Sequence, residues 1–167
     1  AYQTICVAQS CSSNGFAPVI HFQFLRMNKY IKPFSEISIN DVPIVGGKNA
    51  SLGEMYSKLS KAGIAVPNGF ATTAFAFEEF LTHNKLQETL KQLMQGLNRK
   101  TFDNLRVTGN KARQLLAGGV LLKDFEQAVT AAYKNLCNSQ EWEVAVRSSA
   151  TAEDLPQASF AGQHESY

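Results

Sequence analysis

Between Gly46 and Leu136 the apolar positions of this chain recur mostly at helical spacing, and on either side they shorten into strand-like runs. After Gly46-Gly47-Lys48-Asn49, the residues Ala50, Leu52, Met55, Tyr56, Leu59 and Ala62 mark one face of a helix of about three to four turns. Gly63 stands where a C-terminal cap belongs. Upstream, Tyr30 to Ile44 reads as a short strand and a loop, punctuated by Pro33 and Pro43, with turn chemistry at Asn40-Asp41. Ile64-Ala65-Val66 is a short apolar piece ended by the turn Pro67-Asn68-Gly69, after which Thr72 or Thr73 caps a helix holding Phe75, Phe77, Phe80 and Leu81. Three more helical stretches follow. Lys85 to Leu97 puts Leu86, Leu90, Leu93, Met94 and Leu97 on one face. The second starts near Thr101 or Asp103, carries Leu105, Ala112, Leu115 and Leu116, and ends at Gly118-Gly119. The third, Leu121 to Leu136, turns Phe125, Ala128, Val129, Ala132 and Leu136 one way. Glu143-Val144-Ala145-Val146-Arg147 then alternates as a strand whose end delivers Arg147 into a Ser/Thr-rich loop.

These elements predict a mixed α and β fold with helices dominant. A small sheet holds strands near Ile44, Val66–Phe70 and Val144–Arg147, covered by the Ala50–Ala62 helix and by a helical insertion over residues 74–136. The 167 residues suffice for one domain with a real core. With 44% hydrophobic and 18% charged residues and a formal charge of +2, the chain is neither a disordered acidic tail nor a basic nucleic-acid arm. Cys6, Cys11 and Cys137 lack CxxC spacing, so a zinc site or disulfide framework is not indicated, and a reducing, cytoplasmic setting is expected. No apolar run approaches the roughly 18–20 residues that span a bilayer, so no membrane partner is expected either. Residues 1–26 lack an initiating Met, an early basic region and a clean apolar core, and so do not read as a signal peptide. Met27-Asn28-Lys29-Tyr30 looks like an ordinary start, and residues 1–26 are expected to be an extension without assigned function, separate from 27–167.

Two segments carry candidate chemistry. Gly46-Gly47-Lys48 leading into a helix has the shape of a phosphate site: backbone N–H groups, the positive helix end and an ammonium beside them. It is not a Walker A loop, whose remaining Gly and Ser/Thr positions are here Val42 and Asn49. A plain surface turn would have the same sequence. The second segment runs from Val144 through Arg147-Ser148-Ser149-Ala150-Thr151-Ala152-Glu153-Asp154 and Leu155-Pro156 to Ser159-Phe160-Ala161-Gly162-Gln163. Arg at a strand end before hydroxyl residues and glycine suits phosphate oxygens, because guanidinium offers a planar fork of donors. The alternative is a capped loop in which Ser148, Ser149 and Thr151 serve turn and N-cap hydrogen bonds. His21, His83 and His164 fall in unrelated contexts, and no G-x-S-x-G motif accompanies them. Adjacent Glu153 and Asp154 are a metal or acid pair only if they leave solvent, and Phe75, Phe77 and Phe80 read as core rather than a base-stacking platform.

Three strings occur in order: Val45-Gly46-Gly47-Lys48-Asn49-Ala50-Ser51-Leu52-Gly53-Glu54-Met55, Val66-Pro67-Asn68-Gly69-Phe70-Ala71-Thr72-Thr73, and Val146-Arg147-Ser148-Ser149-Ala150-Thr151-Ala152-Glu153-Asp154. Together they resemble the amino-terminal ATP-binding region of the phosphoenolpyruvate synthase (pyruvate, water dikinase) family, from about Tyr30 to Tyr167. The resemblance implies an α+β, ATP-grasp-like nucleotide-binding subdomain, truncated at Tyr167. In that family the β-phosphoryl group of ATP goes to a histidine on a separate swivelling domain and from there to pyruvate at a carboxy-terminal barrel. By position in the motifs, Lys48 and Arg147 would hold the ATP phosphates, Gly162 would bring its backbone close to the nucleotide, and the Ser166 hydroxyl would donate to it. Gln163-His164-Glu165 departs from the Gln-Gln or Gln-Glu usual after that glycine, which leaves the role of His164 open. No catalytic residue is expected in this segment. The residues that hold Mg²⁺, the phosphorylated histidine and the pyruvate site are all expected beyond residue 167, so the chain alone would not complete the reaction. A rifamycin-type antibiotic phosphotransferase and pyruvate, phosphate dikinase share closely similar motifs. A non-catalytic nucleotide-binding module is the reading from another class.

Overall fold

The computed structural model describes residues 3–9, 29–138 and 143–151. In chain order these form strands β1 (Gln3–Gln9) and β2 (Ile31–Pro33), a short helix α1 (Val42–Val45) and helix α2 (Gly47–Leu59). Strand β3 (Gly69–Thr72) follows, then helices α3 (Ala74–His83), α4 (Leu86–Gln95), α5 (Leu105–Ala117) and α6 (Lys123–Leu136), and strand β4 (Val144–Ala150). Single 3-10 turns occupy Phe34–Glu36, Ile39–Asp41 and Ser60–Ala62. The described residues divide into two compact units: one up to Phe77 and again from Asp124, the other Glu78–Lys123.

The first unit is built on a sheet of order β2-β3-β1-β4, antiparallel at each pairing. Directly paired residues share a face, so the register sorts the side chains. One face carries the row Pro33, Phe70, Val7 and Val146. It belongs to a core in which Val7, Ile31 and Phe70 pack with Ala76 of α3 and with Ala128, Ala132, Leu136 and the buried thiol of Cys137. Tyr30 stands edge-on to Phe125 in that core, with ring centroids 5.8 Å apart. The opposite face carries Lys32 and Ala71 and, on the far side of β1, Arg147. There Ala71 packs with Phe34, Ile37, Val45 and Ala50, which seats α2 on the sheet. Thr73 caps α3, its Oγ1 accepting from the Ala76 N–H at 3.4 Å and donating to the Lys29 carbonyl at 2.6 Å.

The second unit is helical. Helices α4 and α5 pack on each other. Asn104 joins their ends, donating to the Gly96 carbonyl at 2.8 Å and accepting from the Asn98 N–H at 2.9 Å. Asn84 does the same for the chain at Val120, with bonds of 3.0 and 2.8 Å.

The mixed α and β architecture with a small sheet is as expected, but four of its parts are not. No strand forms near Ile44: Pro43 lies in the first turn of α1 behind Asp41, where a missing N–H costs nothing and a fixed φ favours helix. The strand of that region is Ile31–Pro33 instead. The strand expected at Val66–Phe70 sits later, at Gly69–Thr72; residues 64–68 form no regular element, and Pro67 has no N–H to give a ladder. The helical insertion expected over residues 74–136 is shorter, since α6 contributes Ala128, Ala132 and Leu136 to the sheet's own core. Residues 3–9, given no element from their sequence, form an inner strand of the sheet.

Candidate functional site

Gly46 is where the two candidate segments meet. Its φ of 84° and ψ of 161° end α1 and start α2, in a region that side-chain-bearing residues seldom enter. An alanine Cβ built there would overlap Ser149 Oγ and stand 2.9 Å from the Ala150 carbonyl oxygen. The start of α2 therefore rests against the end of β4 with no room for a methyl group.

From that contact the two candidate side chains are each two residues away. Lys48 is the second residue of α2 and is partly buried; Arg147 is the central residue of β4 and is exposed. Arg147 and Ser149 alternate with their neighbours and so share a face, the one on which α2 lies. Two residues of chain reach at most about 7 Å, so both cations rise from backbone close to one point. The α2 N-terminus adds N–H groups and the positive end of the helix dipole on the same side. Donors and positive charge with flexible reach suit phosphate oxygens, and an Arg fork can take two of them at once. The expectation that β4 ends at Arg147 is corrected: the strand continues through Ser148-Ser149-Ala150, and Arg147 projects from its middle.

The rest of the glycine-lysine string is largely occupied in holding α2 in place. Asn49 is fully buried and donates from Nδ2 to the Val45 carbonyl at 2.7 Å. Gly53 lies so close to Ile37 that a Cβ would overlap the Ile37 Cβ and stand 2.9 Å from its carbonyl oxygen. Glu54 accepts from the Ile39 N–H at 3.3 Å and pairs with Lys58, and these hydrogen bonds, that from Lys58 foremost, hold its carboxyl below the usual glutamate value. Leu52 and Tyr56 pack beside Phe34 and Ile37. Gly63, at φ 79°, closes the following turn as expected.

A second charged group lies across the same sheet face. Lys32 meets Asp41 at 2.5 Å, and Asp41 also accepts from the Ser38 N–H at 2.8 Å. Burial alone would raise the Asp41 carboxyl, but the Lys32 and Ser38 hydrogen bonds and the Lys32 charge outweigh it and hold the pKa below 3.8. Lys32 is thereby committed to the loop before α1.

Gly162, Ser166 and His164 lie outside the described residues, as do Glu153 and Asp154. Among the described residues no group of three or more His, Cys, Asp or Glu side chains could hold a metal ion. Nor is any helix there long and apolar enough to cross a membrane. What the motifs did not reveal is the seat: Ser149 and Ala150 as the surface on which Gly46 rests. Their small size was the available signal.

Residues 42–167 match the family described as pyruvate phosphate dikinase, AMP/ATP-binding domain, and the chain belongs to that family. Among curated proteins, a phosphoenolpyruvate synthase of Aquifex aeolicus is 46% identical over 135 residues, covering 79% of this chain and 16% of that protein. That of Synechocystis is 45% identical over 141 residues, 80% of this chain and 17% of the relative. That of Escherichia coli is 40% identical over 157 residues, 93% of this chain and 18% of the relative. The chain thus spans about a sixth of the length of these curated relatives.

Proposed function

We propose that this chain is the ATP-binding segment of a phosphoenolpyruvate synthase, which turns ATP, pyruvate and water into AMP, phosphoenolpyruvate and phosphate. The observation that carries the reading is the seating of Gly46 on Ser149 and Ala150, which joins the glycine-lysine and Arg-Ser-Ser strings into one donor-rich corner. Family membership supports it. Residues 27–167 would be the N-terminal part of the nucleotide domain, of ATP-grasp type, in a cytoplasmic enzyme of gluconeogenesis.

Lys48 and Arg147 hold phosphate oxygens and offset their charge, with the α2 N–H groups beside them, and Gly162 and Ser166 complete the nucleotide contacts. Phosphoryl transfer needs mainly such positioning and charge neutralisation, so no general base is required of this segment. Mg²⁺, when bound, neutralises further charge on the phosphates. Donor-only groups such as Lys48 and Arg147 do not fit it, and its ligands, the phosphohistidine and the pyruvate site belong to sequence beyond residue 167.

The test is calorimetric titration of Mg-ATP into the 167-residue chain and into the protein extended through the rest of its reading frame. Binding should fall about ten- to a hundredfold in Lys48→Ala or Arg147→Ala, the worth of one charge-assisted contact. The extended protein should release AMP only with pyruvate. ATP binding without pyruvate dependence would sink the synthase reading and turn the search to the antibiotic phosphotransferase or another acceptor.

A further inference from the structure

Gly46 does more than allow a turn. It packs the α2 N-terminus against Ser149 and Ala150 of β4, with Lys48 two residues along one arm and Arg147 two residues back from Ser149 along the other. A helix and a strand meeting at a corner behave as two levers on a pivot. Widening the pivot by a methyl group moves the base of each side chain by a distance comparable to a hydrogen-bond tolerance. The body of α2 cannot absorb the change by sliding, because Gly53 is wedged on Ile37 and Glu54 is tied to the Ile39 N–H. Asn49 ties the first turn back to Val45. The displacement is therefore concentrated at the corner.

We infer that Gly46 is a positioning residue whose bare Cα, against Ser149 and Ala150, sets the spacing between Lys48 and Arg147 and so the fit to a polyphosphate. This rests on the ATP-binding reading above. It predicts coupling. Once the spacing is lost, Lys48 contributes little, so removing it costs little more.

The experiment is a double-variant cycle on the 167-residue chain, read by Mg-ATP calorimetry below every variant's unfolding midpoint. Gly46→Ala should weaken binding by about tenfold or more, the worth of a misplaced charged contact. Lys48→Ala should then cost much less in the Gly46→Ala background than in the unaltered chain. Gly53→Ala disturbs the same helix away from the corner and should show no such coupling, so its combination with Lys48→Ala should be additive. Ser149→Thr approaches the same contact from the strand without the positive φ, and decides the matter if Gly46→Ala does not fold. Additive effects at both Gly46 and Ser149, or unaltered affinity in both variants, would overturn the inference while leaving ATP binding intact. An unaltered chain that binds no ATP, either alone or extended through the rest of its reading frame, would overturn both.

Discussion

Gly53→Ala sets two opposed effects against each other. In the middle of an exposed helix the exchange gains about 1 kcal/mol, because alanine restricts the unfolded chain and favours helix. In α2 the new methyl would meet Ile37, 2.5 Å from its Cγ2 and 2.9 Å from its carbonyl oxygen. Ile37 cannot retreat easily. It is 2% exposed, and its N–H is bonded to the Phe34 carbonyl at 3.2 Å. Forcing an extra methyl into such packing costs about 1–3 kcal/mol, and contact with backbone rather than a flexible tip puts this site toward the upper end. The net expectation is a loss of about 1–2 kcal/mol, or about 2–8 °C in melting temperature for a chain of this length. Urea unfolding followed by circular dichroism reads it, with an unchanged slope confirming that stability alone has moved. Gly109→Ala in α5 is the counterpart: among the described residues its new methyl would meet only Arg113 Nη1, at 3.9 Å, so the helical gain should appear undiminished. Stabilisation by Gly53→Ala would refute the close seating of α2 on Ile37.

Asp41 gives a pH signature. Its folded pKa lies below 3.8, so its stabilisation is fully present above about pH 4 and lost as pH falls through the depressed value. The stability gap between the unaltered chain and Asp41→Asn should be flat from pH 5 to 7 and shrink below about 4; a gap that widens in acid would contradict the Lys32 pairing. Deleting residues 1–9 removes the strand that pairs with both β3 and β4, and should abolish cooperative unfolding of the first unit. An unchanged transition after that deletion would show the sheet to be self-sufficient without it.

The helices were legible because their apolar positions repeat at close range: α2, α4, α5 and α6 each fall within a few residues of the span that their periodicity marks. Which partner a helix takes was not. The stripe of Ala128, Ala132 and Leu136 announces a buried face equally well for an insertion or for the sheet, and only the fold shows that it covers Val7 and Phe70. Strand β1 escaped notice because its stability comes from partners more than sixty and nearly one hundred and fifty residues away, which no local window contains. At the candidate site, the residue types of Lys48 and Arg147 suggest a chemistry, whereas the nearness of their two segments rests on the close approach of Gly46 to Ser149. Sequence spacing carries no record of that contact.

The order of pairing within the sheet governs when the candidate site can come into being. Strand β1 pairs Gln3 with Ala150, so an inner strand made first is completed only when the last described strand has been made. Helices α4 and α5 close over short loops and can form early, while the corner that seats Gly46 on Ser149 waits for a loop of about a hundred residues to close. During synthesis the edge of β1 that pairs with β4 thus has no strand partner until the Arg-Ser-Ser strand emerges. A ribosome paused before Val144 would hold a chain with its local helices formed and the Gly46–Ser149 corner missing.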